Sequence, residues 1–261
     1  MNEMKSSQRP MGRDELLRMI TESLTGGDYE PGTRLPSERV LAERYSVSRP
    51  VVREVMQRLR ERGVVVVAQG SGAYLREMSA LDWARPLDAA GRHRSATFRQ
   101  LLEALSMIMR QAAELAAERA TDEDLERIRS ALSSLDKAGN LIDKSRSDIA
   151  YLALIAKAAH NPVIAMMFGA IAPLLYEASF ISFHDARIFA AMTPFHREML
   201  DALTTRDGTR ASAIFAKYID IEMDMYGDTL DKPFQSLGGQ TTGFGDDVGL
   251  EDVIDEALRR S

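Results

Sequence analysis

The chain of 261 residues is long enough for two domains of ordinary size, and its 45% hydrophobic and 28% charged residues are typical of globular proteins. It has no cysteine, which excludes disulfides, thiolate catalysis and cysteine-ligated zinc and favours a reducing cytosol. The net charge of −6 is uneven: residues 1–76 carry 13 Lys and Arg against 10 Asp and Glu, so one basic segment suits nucleic acid.

Three helices are predicted after the polar residues 1–12, which are expected to form a flexible tail rather than a signal peptide. The first, residues 14–25, has leucine and isoleucine at helical spacing. The second begins at Ser37 and the third at Ser48, because a serine hydroxyl can accept a hydrogen bond from the first turn of a helix. Gly63 ends the third helix.

A small hairpin is predicted next. Val64–Val67 are β-branched, Gln69–Gly72 form a turn and Ala73–Leu75 return. Two short helices joined by a tight turn and followed by a hairpin form a winged helix-turn-helix, here assigned to residues 13–76. The second helix of such a pair enters the major groove of DNA.

The start of the third helix carries the side chains expected to read DNA. Arg49 and Arg53 lie four residues apart on one face, and arginine suits bidentate contact with guanine. A solvated helix face would explain either arginine alone, but not both together with the helix-turn-helix spacing and the hairpin. An arginine of the preceding helix can reach a phosphate, and the hairpin tip can enter the minor groove. The residues expected to contact DNA are Arg39, Ser48, Arg49, Arg53, Gln69 and Gly70.

The rest of the chain predicts a mainly α-helical protein. Residues 77–95 contain a tryptophan, a proline and a glycine and are expected to form an irregular linker. Residues 96–232 are expected to form an all-helical domain, with no apolar run of about 18 residues that would span a membrane. Residues 233–261 are expected to be a flexible tail with a short helix at 250–260.

Six helices are predicted within residues 96–232 from the spacing of apolar residues. Pro173 and Pro194 are expected to kink or divide two of them. The predicted helices span residues 98–119, 121–137, 143–159, 162–179, 185–204 and 209–230.

The N-terminal part resembles the DNA-binding domain of the GntR family of bacterial regulators. The matching stretches within residues 14–76 are PGTRLPSERVLAERYSVSRPVVREVMQRLRERG and QGSGAYL. The resemblance implies DNA contacts by the six residues named above. Pro50 and Val51 differ from the residues most common in relatives, which would alter base preference without removing binding.

Residues 96–232 resemble the ligand-binding FCD domain of the FadR subgroup of that family. The matching stretches are AAELAAERATDEDLERI (112–128), DIAYLALIAKAAHNPVI (148–164) and HREMLDAL (196–203). Many members of the subgroup hold a divalent metal with one Asp and three His, and the metal helps to bind a carboxylate effector.

The resemblance places Asp148 and His196 at two of the four metal-ligand positions, but Leu152 and Tyr218 at the other two. Zinc sites generally use at least three protein ligands, so a metal or other cofactor is not expected. A buried hydrogen-bonded pair or a surface contact would equally explain Asp148 and His196.

The cavity is expected to be more apolar than in relatives, since a leucine and a methionine stand where many relatives carry Arg and Glu. The candidate effector pocket comprises Leu105, Met109, Asp148, Leu152, His196 and Tyr218. Methionines in this half could line the pocket or fill the core. We expect a hydrophobic or amphipathic effector, such as an acyl thioester or a lipid-like acid.

These features predict a cytoplasmic homodimeric transcription regulator, expected to be a repressor, whose affinity for a near-palindromic DNA operator is controlled by a small-molecule effector. Two alternatives are a metal-dependent sensor of a carboxylate metabolite and a DNA-binding dimer with a degenerate effector domain. An enzyme is not expected, because the sequence has no HExxH, no GxSxG and no phosphate-binding loop.

Overall fold

The chain forms two compact units, Met1–Met78 and Ser79–Ser261, each with its own hydrophobic core. The computed structural model describes residues 12–26, 28–68, 71–76, 80–184, 186–233 and 249–260.

The first unit contains the predicted three helices and hairpin. Leucine, isoleucine and valine side chains from all three helices meet in its core, together with Val65 and Leu75 from the hairpin. The two strands pair antiparallel, with Val65 opposite Leu75 and Ala68 opposite Gly72. The elements are α1 (Arg13–Thr25), α2 (Glu38–Arg44), α3 (Arg49–Glu61), β1 (Val65–Ala68) and β2 (Gly72–Leu75).

The turn between α2 and α3 is closed by backbone hydrogen bonds. The Val47 N–H donates to the Ala42 carbonyl at 3.0 Å, and Ser46 adopts the left-handed conformation with φ 53°. This is the usual way to end a helix, although glycine is the residue that takes the left-handed position most readily. The turn fixes α3 against α2 and directs the start of α3 outwards.

The second unit is a bundle of eight α-helices and one short 3₁₀ helix among the described residues. α7 lies at its centre, with every residue from Ser147 to Ala156 buried, and packs against α5, α6, α8 and α11. The helices are α4 (Ala80–His93), α5 (Phe98–Arg119), α6 (Asp122–Lys137), α7 (Leu141–Ala158), α8 (Pro162–His184), α9 (Ala186–Thr204), α10 (Gly208–Tyr226), the 3₁₀ helix Gly227–Asp231 and α11 (Leu250–Arg259).

The expectation of an irregular linker over residues 77–95 is wrong for residues 80–93, which form α4. Pro86 lies inside this helix and removes one backbone hydrogen bond. Packing compensates for that loss: α4 lies along α8, and Ala84 is buried. Tertiary contacts have therefore overridden the local helix-breaking signals.

Two further prolines also lie inside helices. Pro173 lies within α8 and Pro194 within α9, and neither residue divides its helix. α8 includes a window, Pro162–Ser179, that is long and apolar enough to cross a membrane by length and composition, and half of that window is buried in the bundle. Burial of this kind is common in core helices of globular proteins.

The predicted short terminal helix is present as α11, but it is not part of a flexible tail. Val253 and Ile254 are fully buried against α6 and α7, and Arg146 forms an ion pair with Glu256 at 2.7 Å. α11 therefore completes the core of the second unit. Residues 234–248, which are also part of the predicted tail, lie outside the described residues.

Candidate DNA-reading surface and buried polar cavity

The first turns of α3 expose the side chains that the sequence predicts to read DNA. Arg49 and Arg53 are exposed, whereas Val52 and Val55 on the opposite face are buried in the core. Ser48 stands at the N-cap position but its side chain makes no capping hydrogen bond. Its exposed hydroxyl is therefore available for another partner.

Two arginines of this surface take part in exposed ion pairs. Arg53 Nε lies 3.3 Å from Glu38 Oε2, with 71% of the arginine side chain exposed. Arg39 Nη1 lies 2.7 Å from Glu43 Oε1. Exposed pairs of this kind contribute only about 0–1 kcal/mol, so a DNA phosphate or base edge can compete for either arginine.

Of the predicted contacts at the hairpin tip, Gln69 and Gly70 lie outside the described residues. The hairpin beside them presents one basic group that the sequence reasoning missed. Arg34 is exposed and lies next to Gly72, where a Cβ would come within 3.1 Å of the Arg34 Nε. Gly72 also has a φ of +119°, which other residues rarely adopt. Arg34 forms a single antiparallel β-bridge with Tyr74 and lies outside the two strands, so no helical or strand periodicity indicated its direction.

In the second unit, Asp148 of α7 and His196 of α9 form a buried pair. His196 Nε2 lies 2.8 Å from Asp148 Oδ1, and His196 Nδ1 lies 3.1 Å from the Met192 carbonyl oxygen. The Tyr151 hydroxyl donates to the His196 backbone carbonyl at 2.7 Å. The sequence left two explanations open for Asp148 and His196, a buried hydrogen-bonded pair and a surface contact. The structure shows the buried pair.

The two contacts of His196 fix the position of its ring. One ring nitrogen lies within hydrogen-bond distance of the Asp148 carboxyl and the other within that distance of the Met192 carbonyl oxygen. Asp148 and His196 are therefore polar partners in the core, where an unpaired polar group would be costly.

A small cavity opens beside this pair, between α5, α7, α8 and α10. Its volume of about 20 Å³ is room for about one water molecule. Asp148, Ser179, Tyr218 and Glu222 supply its polar wall. The apolar wall is formed by Phe98, Leu102, Leu105, Ile149, Leu152, Leu175 and Ala178.

Glu222 is the functional candidate that sequence reasoning missed. Its side chain is only 7% exposed, and its carboxyl makes no hydrogen bond or ion pair with any residue that the structure describes. Burial raises its pKa to about 8, and the charge of Asp148 adds to that shift. One signal was available: Glu222 follows Tyr218 by four residues and so shares its face of α10.

A second cavity of about 10 Å³ adjoins the first and is almost wholly apolar. The two cavities share Leu152 and Tyr218 as walls, and His196 lines the second one. The structure thus brings five of the six predicted pocket residues to one or both cavities. Met109 is fully buried in the core but lines neither cavity, and of the methionines that the structure describes only Met199 lines one of the two.

The residues present do not fit the metal that the FCD resemblance implies. His196 Nε2 is hydrogen-bonded to Asp148, Leu152 has no ligand atom, and a tyrosine is not equivalent to the missing imidazole at the Tyr218 position. No group of three or more Asp, Glu or His side chains in the described parts of the chain is arranged to hold a metal ion.

Comparison with known proteins identifies the family to which this chain belongs. The model of "Bacterial regulatory proteins, gntR family" matches residues 13–75, and that of the FCD domain matches residues 100–220. The transcriptional regulator LutR of Bacillus subtilis is 31% identical over 75% of this chain and 92% of its own length. The chain belongs to the GntR family. Its first unit is the GntR winged helix-turn-helix and its second unit contains the FCD domain.

Two further comparisons agree with this assignment. The galactonate operon transcriptional repressor of Escherichia coli is 29% identical over 76% of this chain and 89% of its own length. The solved structure of a GntR protein of Streptococcus agalactiae has the same fold, with a TM-score of 0.66, 22% identity, and coverage of 81% of this chain and 98% of that one. The families and relatives are transcription regulators, so this GntR protein is a DNA-binding regulator rather than an enzyme.

Proposed function

We propose that this GntR protein is a cytoplasmic homodimeric repressor whose affinity for a near-palindromic operator is controlled by a small molecule bound in the FCD domain. The proposed DNA binding is supported mainly by the start of α3. Arg49 and Arg53 are exposed there, next to a Ser48 hydroxyl that makes no capping hydrogen bond. Two-fold symmetry of the dimer would place two such helix ends on matching half-sites.

The six predicted contact residues divide by role in this proposal. Arg49, Arg53 and Ser48 read base edges in the major groove, since they stand on the exposed face of α3. Arg39 contacts a phosphate, and Gln69 with Gly70 enters the minor groove at the hairpin tip. We add Arg34, which is exposed beside the hairpin, as a further phosphate contact.

The effector half of the proposal is supported by the cavity beside Asp148 and Glu222. A degenerate effector domain would be expected to close over an apolar core, whereas this core keeps a buried carboxyl, that of Glu222, with no partner among the described residues. Such a group is costly unless a ligand or water contacts it. An effector that prefers one state of the FCD domain shifts operator affinity by its difference in affinity for the two states.

The DNA-reading half is tested by fluorescence anisotropy with the DNA upstream of the gene for this protein. We expect Arg49→Ala and Arg53→Ala each to weaken specific binding about tenfold or more, because a bidentate arginine contact is worth about 1–3 kcal/mol. Arg39→Ala should weaken specific and non-specific binding alike. It should also lower by about one the number of ions released on binding, which is read from the slope of log affinity against log salt concentration.

Arg18→Ala is the matched control for Arg39→Ala. Arg18 forms the same exposed ion pair, with Glu22 four residues ahead at 2.8 Å, but lies in α1. It should leave binding unchanged. Full operator affinity in both Arg49→Ala and Arg53→Ala would refute the assignment of α3 as the recognition helix.

A further inference from the structure

We propose that the cavity beside Asp148 and Glu222 binds the cationic head of an amphipathic effector, a protonated amine on an apolar chain, rather than a carboxylate. This inference rests on the proposed function, because it names the chemical class of the effector. It departs from the metal-assisted carboxylate binding that the family resemblance implies.

The two acids of the cavity wall differ in their partners. Asp148 has His196, whose Nε2 lies 2.8 Å from Asp148 Oδ1. Glu222 has no such partner among the described residues, although more than nine-tenths of it is buried and it lines the cavity. An ionised Glu222 would therefore be the one uncompensated charge of the cavity wall.

The cavity wall around Glu222 carries no basic group in the part of the chain that the structure describes. No Lys, Arg or His is among the described residues that line the cavity. A carboxylate ligand would find no cation to pair with at this wall and would leave its own charge buried, which is costly. A protonated amine would form a charge-assisted hydrogen bond with Glu222, the stronger kind of hydrogen bond.

The ligand's apolar chain would occupy the second, apolar cavity. The adjoining apolar cavity lies beyond Leu152 and Tyr218, which form the wall between the two spaces. Both cavities are small, so the ligand enters only if one of these two side chains turns aside. Rotation of Tyr218 joins the two cavities, which places an amine at Glu222 and an alkyl chain against Ile155, Phe195 and Met199.

The experiment uses three six-carbon probes with different heads: n-hexylamine, n-hexanol and n-hexanoate. Isothermal titration calorimetry on the full chain measures the Kd of each, and anisotropy on the same samples measures operator release. We expect hexylamine to bind about tenfold or more tightly than hexanol, since a charge-assisted hydrogen bond exceeds a neutral one. Hexanoate should bind more weakly than hexanol, and hexylamine should change operator affinity.

Glu222→Gln and Glu198→Gln form a matched pair of variants. Both remove one carboxyl charge, but Glu198 is exposed on α9. Glu222→Gln should weaken the binding of hexylamine about tenfold or more and the binding of hexanol less than about threefold. Retained binding of hexanol would show that the variant is still folded. Glu198→Gln should leave both affinities unchanged.

Three results would overturn the inference: hexanoate binding more tightly than hexylamine, equal affinity for amine and alcohol, or binding of none of the probes. Stoichiometric Zn²⁺ or Mn²⁺ that is required for hexanoate binding would overturn it as well. Operator binding by the ligand-free protein separates the two proposals. If the ligand-free protein binds the operator but none of the probes binds the protein, the proposed DNA-binding function is kept and the amine inference is rejected. If the ligand-free protein does not bind the operator, the proposed function itself is rejected.

Discussion

At the scale of single residues, Glu222 is a carboxyl group whose proton affinity in the folded protein departs strongly from that of the unfolded chain. Its pKa is raised from an ordinary value of 4.5 to about 8, first by burial and then by the charge of Asp148. The folded protein therefore holds a proton between these values that the unfolded chain has lost. The stability that this proton contributes is complete below about pH 4.5 and is lost as the pH rises towards 8.

This linkage gives a prediction for Glu222→Gln. The group makes the free energy of unfolding fall by at most about 1.4 kcal/mol per pH unit between pH 5 and 8. The variant should lose that slope and become more stable than the wild type at pH 8. Urea unfolding at several pH values measures this, with Asp224→Asn, an exposed change on the same helix, as the control. A variant that keeps the full wild-type slope would contradict it.

Sequence reasoning found one half of the polar site and missed the other. The resemblance to the FCD domain brought Asp148 and His196 together, and the structure has them in direct contact. The sequence pattern did not indicate that Glu222 is buried, because this residue lies between the exposed Asp220 and Asp224. A third acid at such a place is typical of a solvated helix face. Only the packing of α10 against α5 turns this one acid into the core.

At the scale of elements, the turn between α2 and α3 carries a conformational cost. Ser46 has a φ of 53°, a left-handed conformation that a side chain disfavours. Ser46→Gly should therefore stabilise the winged helix-turn-helix by about 0.5–1 kcal/mol. The unfolding transition of that domain in urea measures the gain.

Ser48→Gly is the control for this change, two residues further along. Ser48 has a φ of −74°, so glycine relieves no strain there, and stability should stay equal or fall by a few tenths of a kcal/mol. A loss of stability in Ser46→Gly would show that the serine side chain, rather than the backbone, holds the turn.

Helices with regular apolar spacing were predictable from the sequence, whereas those that depend on distant contacts were not. α5 was predicted at its observed bounds, because one of its faces is almost wholly apolar along its length. α4 was missed because Pro86 and Gly91 are local breaking signals, and its stability comes from packing along α8. Pro173 and Pro194 likewise sit inside helices whose neighbours hold them in place.

At the scale of the whole molecule, the chain has two separate hydrophobic cores, and its C-terminal helix belongs to the second. The composition of residues 233–261 suggested a tail, since no local signal shows that α11 docks far back along the chain. Its buried face and its polar contacts both reach α6 and α7. The Ser134 hydroxyl donates to the Ala257 carbonyl at 2.5 Å, and Lys157 forms an ion pair with Glu251.

This docking predicts a selective effect of Ile254→Ala. Ile254 is fully buried, and removing its side chain should cost the FCD domain about 2–4 kcal/mol, because the cavity left behind adds to the lost burial. Asp255→Ala, an exposed change on the same helix, should cost less than about 0.5 kcal/mol. Since the winged helix-turn-helix has its own core, its unfolding transition should stay at the wild-type position in both variants. Calorimetry follows the two transitions together, and equal shifts of both in Ile254→Ala would show that the two cores unfold as one cooperative unit.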